Sequence, residues 1–345
     1  MPIATVDRAL TIRVRAFITG VSREEFGTLA IAVYDYQYLY NAAYRRFVDR
    51  VGTPPPRVWT DIPAVPAGAF RTTTLACGPA ERVYESSGTT AGPSRCARHH
   101  VPDPALYRAA ALAGFQRAVL PAGTRRPFVV AAPERVSHPA SSLGEMVSWL
   151  REAHDSGNTP SYLAYGGADV AGLAGALDRL DRTRPMLLLA VTSVLLALGD
   201  HAGRKRHSWH LPPGSLVLDT GGCKGYAVDL PRATILTRYA EILGVEPEQV
   251  VNEYGMTEMC SQLYARGLEP LRAPPWVRTL VCDPATGREQ PRGEAGLLRY
   301  FDLANLGSVL AIQTEDVGRQ VDGGIELLGR APGAEARGCS LLLAH

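Results

Sequence analysis

Lysine is nearly absent from this chain. Only two of the 36 basic residues are lysines, Lys205 and Lys224, and the basic and acidic residues almost balance, which leaves a formal net charge of +2. So weak a charge argues against nucleic acid as a partner, because nucleic-acid binding depends on a strongly positive surface. No two cysteines have C-x-x-C spacing, so we expect the six cysteines to be scattered reduced thiols in a cytoplasmic protein.

Long apolar runs are also absent. The longest, residues 185–198, is interrupted by Thr192 and Ser193 and is too short to span a membrane. The first residues show no basic region followed by an apolar segment, so we expect no secretory leader. With 345 residues, 46% of them hydrophobic, the chain has enough material for one large domain or two.

The hydrophobic pattern changes along the chain. Helices are predicted at 23–50, 103–119, 141–153, 170–180 and 231–243, and buried strands at 128–132, 186–190, 216–219 and from 250 onward. The alternating tyrosines within 23–50 also fit a strand. In the third helix, Ser142 and Glu145 have the spacing of a capping box. Strands that alternate with helices predict α/β layers with a largely parallel sheet. From about residue 277, short alternating runs separated by turn residues predict a small antiparallel β region.

The segment 84–95, Tyr-Glu-Ser-Ser-Gly-Thr-Thr-Ala-Gly-Pro-Ser-Arg, is dense in hydroxyls and glycines. Glycine lets the backbone approach a ligand, and successive N–H groups in such a turn can hold an anion. The sequence is not a Walker A loop, because no Gly-Lys-Ser/Thr follows. Taken alone, the segment fits a phosphate-holding loop and an ordinary surface loop about equally well.

Four later segments place reactive side chains after strands or turns. Residues 219–225 form a glycine turn in which Lys224 would supply a cation to a ligand, but on this segment alone a tight turn with a solvated lysine is the better interpretation. Residues 252–262 combine Tyr254, suited to stacking on a purine, with Thr257 and Glu258, a carboxylate of the type that holds Mg²⁺ beside phosphates. Residues 315–318 contain Asp316, and residues 329–340 contain Arg330 and Cys339.

In this order, the segments resemble the motifs of the adenylate-forming (ANL) superfamily. Residues 86–90 resemble its phosphate loop, 253–258 its Y-G-x-T-E segment, 315–318 its T-G-D region and 329–330 its hinge. A closer resemblance is to the acyl-protein synthetase (LuxE-type) branch. It rests on Tyr36-Gln37 with Asn41 and on the segments 44–47, 141–146, 283–287, 301–305 and 335–340.

The resemblance implies an ANL-type N-terminal core, made of layered α/β subdomains and a small antiparallel β region. It implies a core domain at 1–330 and a C-terminal stub at 331–345 that carries Cys339, with most or all of the mobile C-terminal domain missing. It also implies cofactors and substrates: ATP, Mg²⁺ and a carboxylic acid. The reaction would form acyl-AMP and pyrophosphate and then transfer the acyl group to a thiol, on Cys339 or on a partner protein.

The resemblance also assigns roles to single residues. The β- and γ-phosphates would bind Ser86, Ser87, Gly88, Thr89 and Thr90. Gly222 and Tyr254 would frame the adenine, Thr257 would contact the α-phosphate and Glu258 would bind Mg²⁺. Asp316 would hold the ribose, Arg330 the ribose or a phosphate, and Cys339 would accept the acyl group. The superfamily's usual C-terminal lysine has no counterpart here, so we hypothesise that Lys224 acts on the α-phosphate instead.

Two alternatives stay open at this point. One is a free-standing biosynthetic enzyme that passes an aryl or amino acid to CoA, a carrier protein or an amine. The other is a nucleotide-binding subunit without turnover, for example one that supports a reductase partner.

Overall fold

The computed structural model describes residues 7–86, 96–164, 166–221 and 230–331. The helices in these residues are α1 (Arg8–Ile18), α2 (Phe26–Tyr40), α3 (Ala42–Val51), α4 (Pro104–Ala118), α5 (Ser142–His154), α6 (Val170–Asp178), α7 (Thr192–Lys205) and α8 (Arg232–Leu243). The strands are β1 (Val65–Pro66), β2 (Arg82–Glu85), β3 (Arg98–Val101), β4 (Phe128–Ala131), β5 (Leu163–Ala164), β6 (Gly167–Ala168), β7 (Leu187–Val191), β8 (Leu216–Thr220), β9 (Val250–Tyr254), β10 (Leu263–Arg266), β11 (Val277–Cys282), β12 (Ala295–Asp302), β13 (Ala311–Val321) and β14 (Gly324–Arg330).

The chain divides into two units. Among the described residues, the first unit comprises 7–114, 256–263 and 270–331, and the second comprises 115–255 and 264–269. The second unit is built on a sheet in the order β10-β9-β8-β7-β4, in which β4, β7, β8 and β9 run parallel. Every residue of β4 and β7 is buried, which is typical of parallel strands covered on both faces. The predicted parallel α/β layers are confirmed.

One detail of α5 differs from the prediction. The N-cap is Ser141, one residue before the predicted Ser142, and its Oγ accepts a hydrogen bond of 3.0 Å from the backbone N–H of Gly144. Glu145 pairs with Arg135 at 2.7 Å instead of closing a capping box. The prediction was wrong because both serines satisfy the sequence rule, and the position of the first helical residue decides between them.

The first unit contains the predicted antiparallel region. Its sheet has the order β1-β13-β12-β11. β14 also pairs with β13, on the side opposite β12. β11, β12, β13 and β14 pair antiparallel, while β1 pairs parallel with β13. Strands β2 and β3 form a separate hairpin that ends beside Ser86, whose backbone N–H bonds to the carbonyl of Ala97.

In the N-terminal part of this unit, the prediction of one helix over 23–50 is wrong. The chain forms α2 and α3 instead, separated at Asn41, whose φ of −98° and ψ of 93° are extended. Its Oδ1 caps α3 by accepting from the N–H of Tyr44 at 3.0 Å, and its Nδ2 donates to the carbonyl of Ser308 at 3.1 Å. A preceding helix, α1, was not predicted; its N-cap is Asp7.

None of the helices in the described ranges combines the length and the apolarity that a bilayer crossing requires.

Candidate active site

The segment 256–262 carries two of the predicted site residues, Thr257 and Glu258, and belongs to the first unit. Its backbone is held by side chains from distant parts of that unit. The carbonyl of Thr257 lies 2.8 Å from Nδ1 of His99, and the carbonyl of Glu258 accepts from Nδ2 of Asn305 at 2.8 Å. The Glu258 side chain is buried. Because these hydrogen bonds fix the backbone at both residues, they also fix the positions of the two Cβ atoms.

Asp302 anchors the far end of the same segment. Its carboxylate accepts hydrogen bonds from the N–H of Cys260 at 3.0 Å, from the hydroxyl of Ser261 at 2.7 Å and from the N–H of Ala304 at 3.0 Å. The indole N–H of Trp276 donates to the Ser261 hydroxyl at 3.0 Å. Burial raises the pKa of Asp302 to about 6, although these donors favour the charged form.

His99 is a neutral hydrogen-bond donor in this arrangement. Burial lowers its pKa to about 4, so the ring is uncharged near neutrality. A carbonyl oxygen can only accept, so the proton lies on Nδ1 and is donated to Thr257. The ring also meets Phe70 edge-on at 5.6 Å between centroids. His99 therefore supports the backbone and does not titrate near pH 7.

Helix α2 supports this region from the N-terminal side. The amide of Gln37 is fully buried and donates to the carbonyls of Asn305 and Leu306 at 2.9 and 3.1 Å. Its Oε1 accepts from the N–H of Leu310 at 2.8 Å. The chain of contacts from Gln37 through Asn305 thus reaches the carbonyl of Glu258.

Two further predicted residues lie together on neighbouring strands of the first unit. Asp316 on β13 is in register with Arg330 on β14. The Arg330 guanidinium donates to Oδ1 of Asp316 at 3.1 Å and to Oε2 of Glu315 at 2.5 Å. Ser86 is in this unit too, where its hydroxyl accepts from the N–H of Ala97 at 2.8 Å.

The carboxyl edge of the parallel sheet in the second unit holds a buried polar cluster. The Asp219 carboxylate is fully buried and accepts from Arg232 at 2.6 Å, from Asn252 at 3.2 Å and from Tyr239 at 3.3 Å. The hydroxyl of Thr192 bonds to the carbonyl of Gly221 at 3.1 Å. Tyr254, the predicted adenine contact, ends β9 at this edge.

Glu253 is a buried residue of this edge to which the sequence analysis gave no role of its own. It lies beside Thr220 in the ladder of β8 and β9 and accepts a hydrogen bond from the Thr220 hydroxyl. Burial is the main cause that raises its pKa to about 7, and the nearby Asp219 adds to the effect. Glu253 directly precedes Tyr254 at a strand end, and this position is the sequence signal that could have identified it as a residue of the site.

The remaining predicted residues lie outside the described residues: Ser87, Gly88, Thr89, Thr90, Gly222, Lys224 and Cys339. The convergence of all predicted residues on one nucleotide stays a prediction.

A protein-family model for "Acyl-protein synthetase, LuxE" matches residues 24–345. The chain belongs to the LuxE acyl-protein synthetase family. The predicted membership of an AMP-forming ligase family is thereby confirmed.

A curated relative and two solved structures give further similarities. The relative is a long-chain-fatty-acid–luciferin-component ligase from Vibrio harveyi, 26% identical over 106 residues, which are 29% of this chain and 28% of the relative. The match thus spans little more than a quarter of that protein. An open conformation of 2-hydroxyisobutyryl-CoA ligase, in complex with 2-HIB-AMP and CoA, covers 90% of this chain and 71% of its own at 19% identity and a TM-score of 0.65. The postadenylation state of the same ligase matches with a TM-score of 0.64 at 18% identity, and the match covers 90% of this chain and 69% of the ligase chain. These likenesses confirm the predicted ANL-type α/β core.

Segments that carried the resemblance to the LuxE family contact one another in the first unit. Gln37 and Asn41 bond to the chain between residues 305 and 310, and Asn305 ends the Phe-Asp-Leu-Ala-Asn segment. Asn305 in turn bonds to the Glu258 carbonyl in the Y-G-x-T-E segment. Gln37, Asn41 and Asn305 are therefore parts of one packed support around residues 257–261.

Proposed function

We propose that this LuxE-family chain uses ATP to convert a carboxylic acid into acyl-AMP with release of pyrophosphate, and then transfers the acyl group to a thiol. The observation that carries the proposal is the family match over residues 24–345. The support around Thr257 and Glu258 is consistent with it, because residues that touch a reacting phosphate need fixed positions.

The adenylation step joins a carboxylate oxygen to the α-phosphorus of ATP while the bond to pyrophosphate breaks. Negative charge spreads over the phosphate oxygens, so hydrogen-bond donors and cations accelerate the step. Thr257 is proposed to donate to the α-phosphate, and the hydroxyls of Ser86, Ser87, Thr89 and Thr90, with the backbone at Gly88, to hold the outer phosphates. Lys224 is proposed to neutralise charge on the α-phosphate.

Mg²⁺ fits the donors that the chain offers. The ion is usually held by one or two carboxylates together with substrate phosphates, and not by a complete protein cage. Within the described ranges, no three His, Cys, Asp or Glu side chains are grouped as such a cage would require. Glu258, buried on a fixed backbone, is proposed as the single carboxylate ligand. When bound, Mg²⁺ neutralises phosphate charge.

The nucleoside part of ATP is proposed to bind residues at or near strands β9 and β13. Tyr254 and Gly222 are proposed to frame the adenine, and Asp316 to accept hydrogen bonds from the ribose hydroxyls. Arg330 already pairs with Asp316 at 3.1 Å, so it can orient that carboxylate and also reach the ribose or a phosphate. We propose that the core domain ends near Arg330, where β14 ends.

The acyl acceptor is proposed to be the thiol of Cys339, with a partner protein, a carrier protein or CoA as the other possible acceptors. Transfer forms a thioester bond and releases AMP, once the thiol has lost its proton. Among the described cysteines, Cys77, Cys260 and Cys282 are buried, and burial raises the pKa of each thiol. These three are therefore poor nucleophiles.

The two lysines of the chain provide a matched test. Pyrophosphate release should require both ATP and a carboxylic acid. Lys224→Ala should lower the rate about tenfold to a hundredfold, and Lys205→Ala, at the exposed end of α7, should leave it unchanged. Equal rates for the two variants would remove Lys224 from the mechanism, and release that does not depend on any acid would contradict the proposed reaction. A Cys339→Ala variant that still carries a covalent acyl group, by intact mass, would place the acceptor elsewhere.

A further inference from the structure

A hydrogen bond joins two segments of the first unit for which contacts with different phosphates of ATP are proposed. Nδ1 of His99, on β3, donates to the carbonyl oxygen of Thr257 at 2.8 Å. Thr257 is the proposed α-phosphate contact. The hairpin of β2 and β3 leads directly into Ser86, the first of the proposed contacts with the outer phosphates. His99, Thr257 and Ser86 belong to the same unit.

The hairpin is closed immediately beside Ser86. Tyr84 on β2 is in register with His99 on β3. Two residues further, the backbone N–H of Ser86 donates to the carbonyl of Ala97 at 2.9 Å, and the Ser86 hydroxyl accepts from the N–H of Ala97 at 2.8 Å. A hydroxyl that accepts one hydrogen bond still has its own proton to donate to a phosphate oxygen. The position of Ser86 is therefore tied to the position of His99 over two residues of paired backbone.

Burial and packing hold the His99 ring in place. His99 is 1% exposed, whereas the next residue on the strand, His100, is half-buried. The ring of Phe70 packs against it edge-on, with an angle of 88° between the two ring planes. A buried ring N–H needs an acceptor, and the carbonyl of Thr257 is that acceptor. The ring therefore fixes the distance between β3 and the backbone at Thr257.

We propose that His99 is a positioning residue for the adenylation step, which holds Thr257 in a fixed place relative to Ser86. This inference rests on the proposed adenylation and adds a residue to its machinery. His99 acts through the backbone of Thr257, so that the contacts with the α-phosphate and with the outer phosphates keep one spacing. A displacement of about 1 Å between such contacts can cost about a hundredfold in rate.

Loss of this hydrogen bond should lower kcat more than it changes KM for ATP. The ground-state complex keeps its other contacts with the nucleotide, so the binding of ATP is nearly preserved. The α-phosphate changes its bonding in the transition state, and a displaced Thr257 weakens the interaction at that point. We expect kcat to fall about tenfold to a hundredfold, and KM for ATP to change by less than about threefold.

The test is pyrophosphate exchange in two variants whose new side chains have nearly the same shape. Octanoate, benzoate and alanine are offered to the wild type, and the fastest of the three is used throughout. His99→Leu removes the donor. His99→Asn restores it, because Nδ2 of asparagine takes nearly the place of Nδ1 of histidine, and should recover most of kcat. Arg98→Leu, on the exposed side of the same strand, is the control and should keep kcat within about twofold.

A second comparison shows whether His99 acts through Thr257. Thr257→Val keeps the backbone carbonyl and the side-chain shape but removes the hydroxyl. In this background, His99→Leu should cost less than about threefold in kcat, because the contact that it positions is already lost. If His99→Leu does not fold, His99→Gln takes its place in both comparisons, since the glutamine amide lies near the position of Nε2 and not of Nδ1.

Three results together support the inference: a loss of kcat in His99→Leu, its recovery in His99→Asn, and a smaller loss in the Thr257→Val background. Wild-type kcat in His99→Leu, equal losses in the leucine and asparagine variants, or additive losses with Thr257→Val overturn the inference and leave the proposed adenylation standing. Absence of exchange with every acid, from a wild type that is folded by circular dichroism, overturns the proposed adenylation and this inference with it.

Discussion

At the scale of single residues, buried hydrogen-bond acceptors and donors determine the conformation around Thr257 and Glu258. Asp302 accepts hydrogen bonds from the Cys260 N–H and the Ser261 hydroxyl, which come just after Glu258 in the chain. His99 and Asn305 bond to the carbonyls of Thr257 and Glu258. Unpaired backbone groups in such a place are costly, so these side chains select one backbone conformation.

Asp302→Ala should be strongly destabilising. It leaves the buried N–H groups of Cys260 and Ala304 without their acceptor, and we expect a loss of about 3 to 5 kcal/mol in the free energy of unfolding. Asp302→Asn keeps one acceptor oxygen and should lose less. Denaturant titration measures the change, and Asp61→Ala, at an exposed position, should stay within about 0.5 kcal/mol. A similar loss in both alanine variants would show that Asp302 has no special role.

Glu253 should make the stability depend on pH near neutrality. Its pKa is about 7 in the folded chain, against an ordinary value of 4.5, so the folded state keeps a proton that the unfolded chain releases. The contribution of Glu253 to the free energy of unfolding is fully present below pH 4.5 and is lost as the pH rises through about 7. The described groups that interact with it are Thr220, which donates a hydrogen bond, and Asp219 and Tyr264, which act through their charge.

Glu253→Gln removes this titration. Compared with the wild type, the variant should therefore gain about 1 to 3 kcal/mol in unfolding free energy between pH 5 and pH 8. Guanidinium titrations at the two pH values measure the difference, with Glu241→Gln as the exposed control. If the gap between wild type and Glu253→Gln is the same at both pH values, the carboxyl does not titrate in this range.

The sequence offers candidates for the reactive residues, but not for the residues that hold them. Tyr254, Thr257 and Glu258 lie in one short segment, so their pattern can be read locally. The partners of that segment, His99 and Asn305, are distant in the chain, and nothing local marks a histidine or an asparagine as a backbone support. The closeness of Asp316 and Arg330 likewise depends on strand register.

At the scale of elements, the strongly periodic segments were predicted and the interruptions were not. The strands β4, β7, β8 and β9 agree with the predicted strands within a residue or two, because continuous apolar runs are a clear signal. The break at Asn41 depends on a hydrogen bond to the carbonyl of Ser308, which lies far along the chain. α1 was missed although Leu10, Val14 and Ile18 repeat at helical spacing.

Two helical glycines should respond in opposite ways to alanine. A Cβ at Gly144, in the first turn of α5, would lie 3.1 Å from the carbonyl carbon of Glu134 and 3.2 Å from the carbonyl oxygen of His138. A Cβ at Gly203 in α7 meets no atom within 4 Å. Gly203→Ala should raise stability by about 0.5 to 1 kcal/mol through helix propensity. Gly144→Ala should lower it, because the neighbouring backbone must move.

Thermal or denaturant unfolding of the two variants measures this contrast. A gain in stability for Gly144→Ala equal to that for Gly203→Ala would show that the loop 132–140 does not pack closely on the start of α5.

At the scale of the whole molecule, the predicted site residues are distributed over both units. Ser86, Thr257, Glu258, Asp316 and Arg330 belong to the first unit, and Tyr254 belongs to the second. The sequence could predict the family, since the motifs occur in order along one chain, and the family match confirms it. The acid was beyond sequence reasoning, because a pocket is lined by residues from several parts of the chain, and only the fold brings these residues together.

The central claim is that this chain activates a carboxylic acid with ATP, and acid-dependent exchange of labelled pyrophosphate into ATP tests it most directly. We expect exchange that requires both an acid and Mg²⁺, that stops when the metal is chelated, and that falls at least about tenfold in Glu258→Gln but not in Glu241→Gln. Exchange that proceeds without acid, or that is equally fast in Glu258→Gln and the wild type, would contradict it.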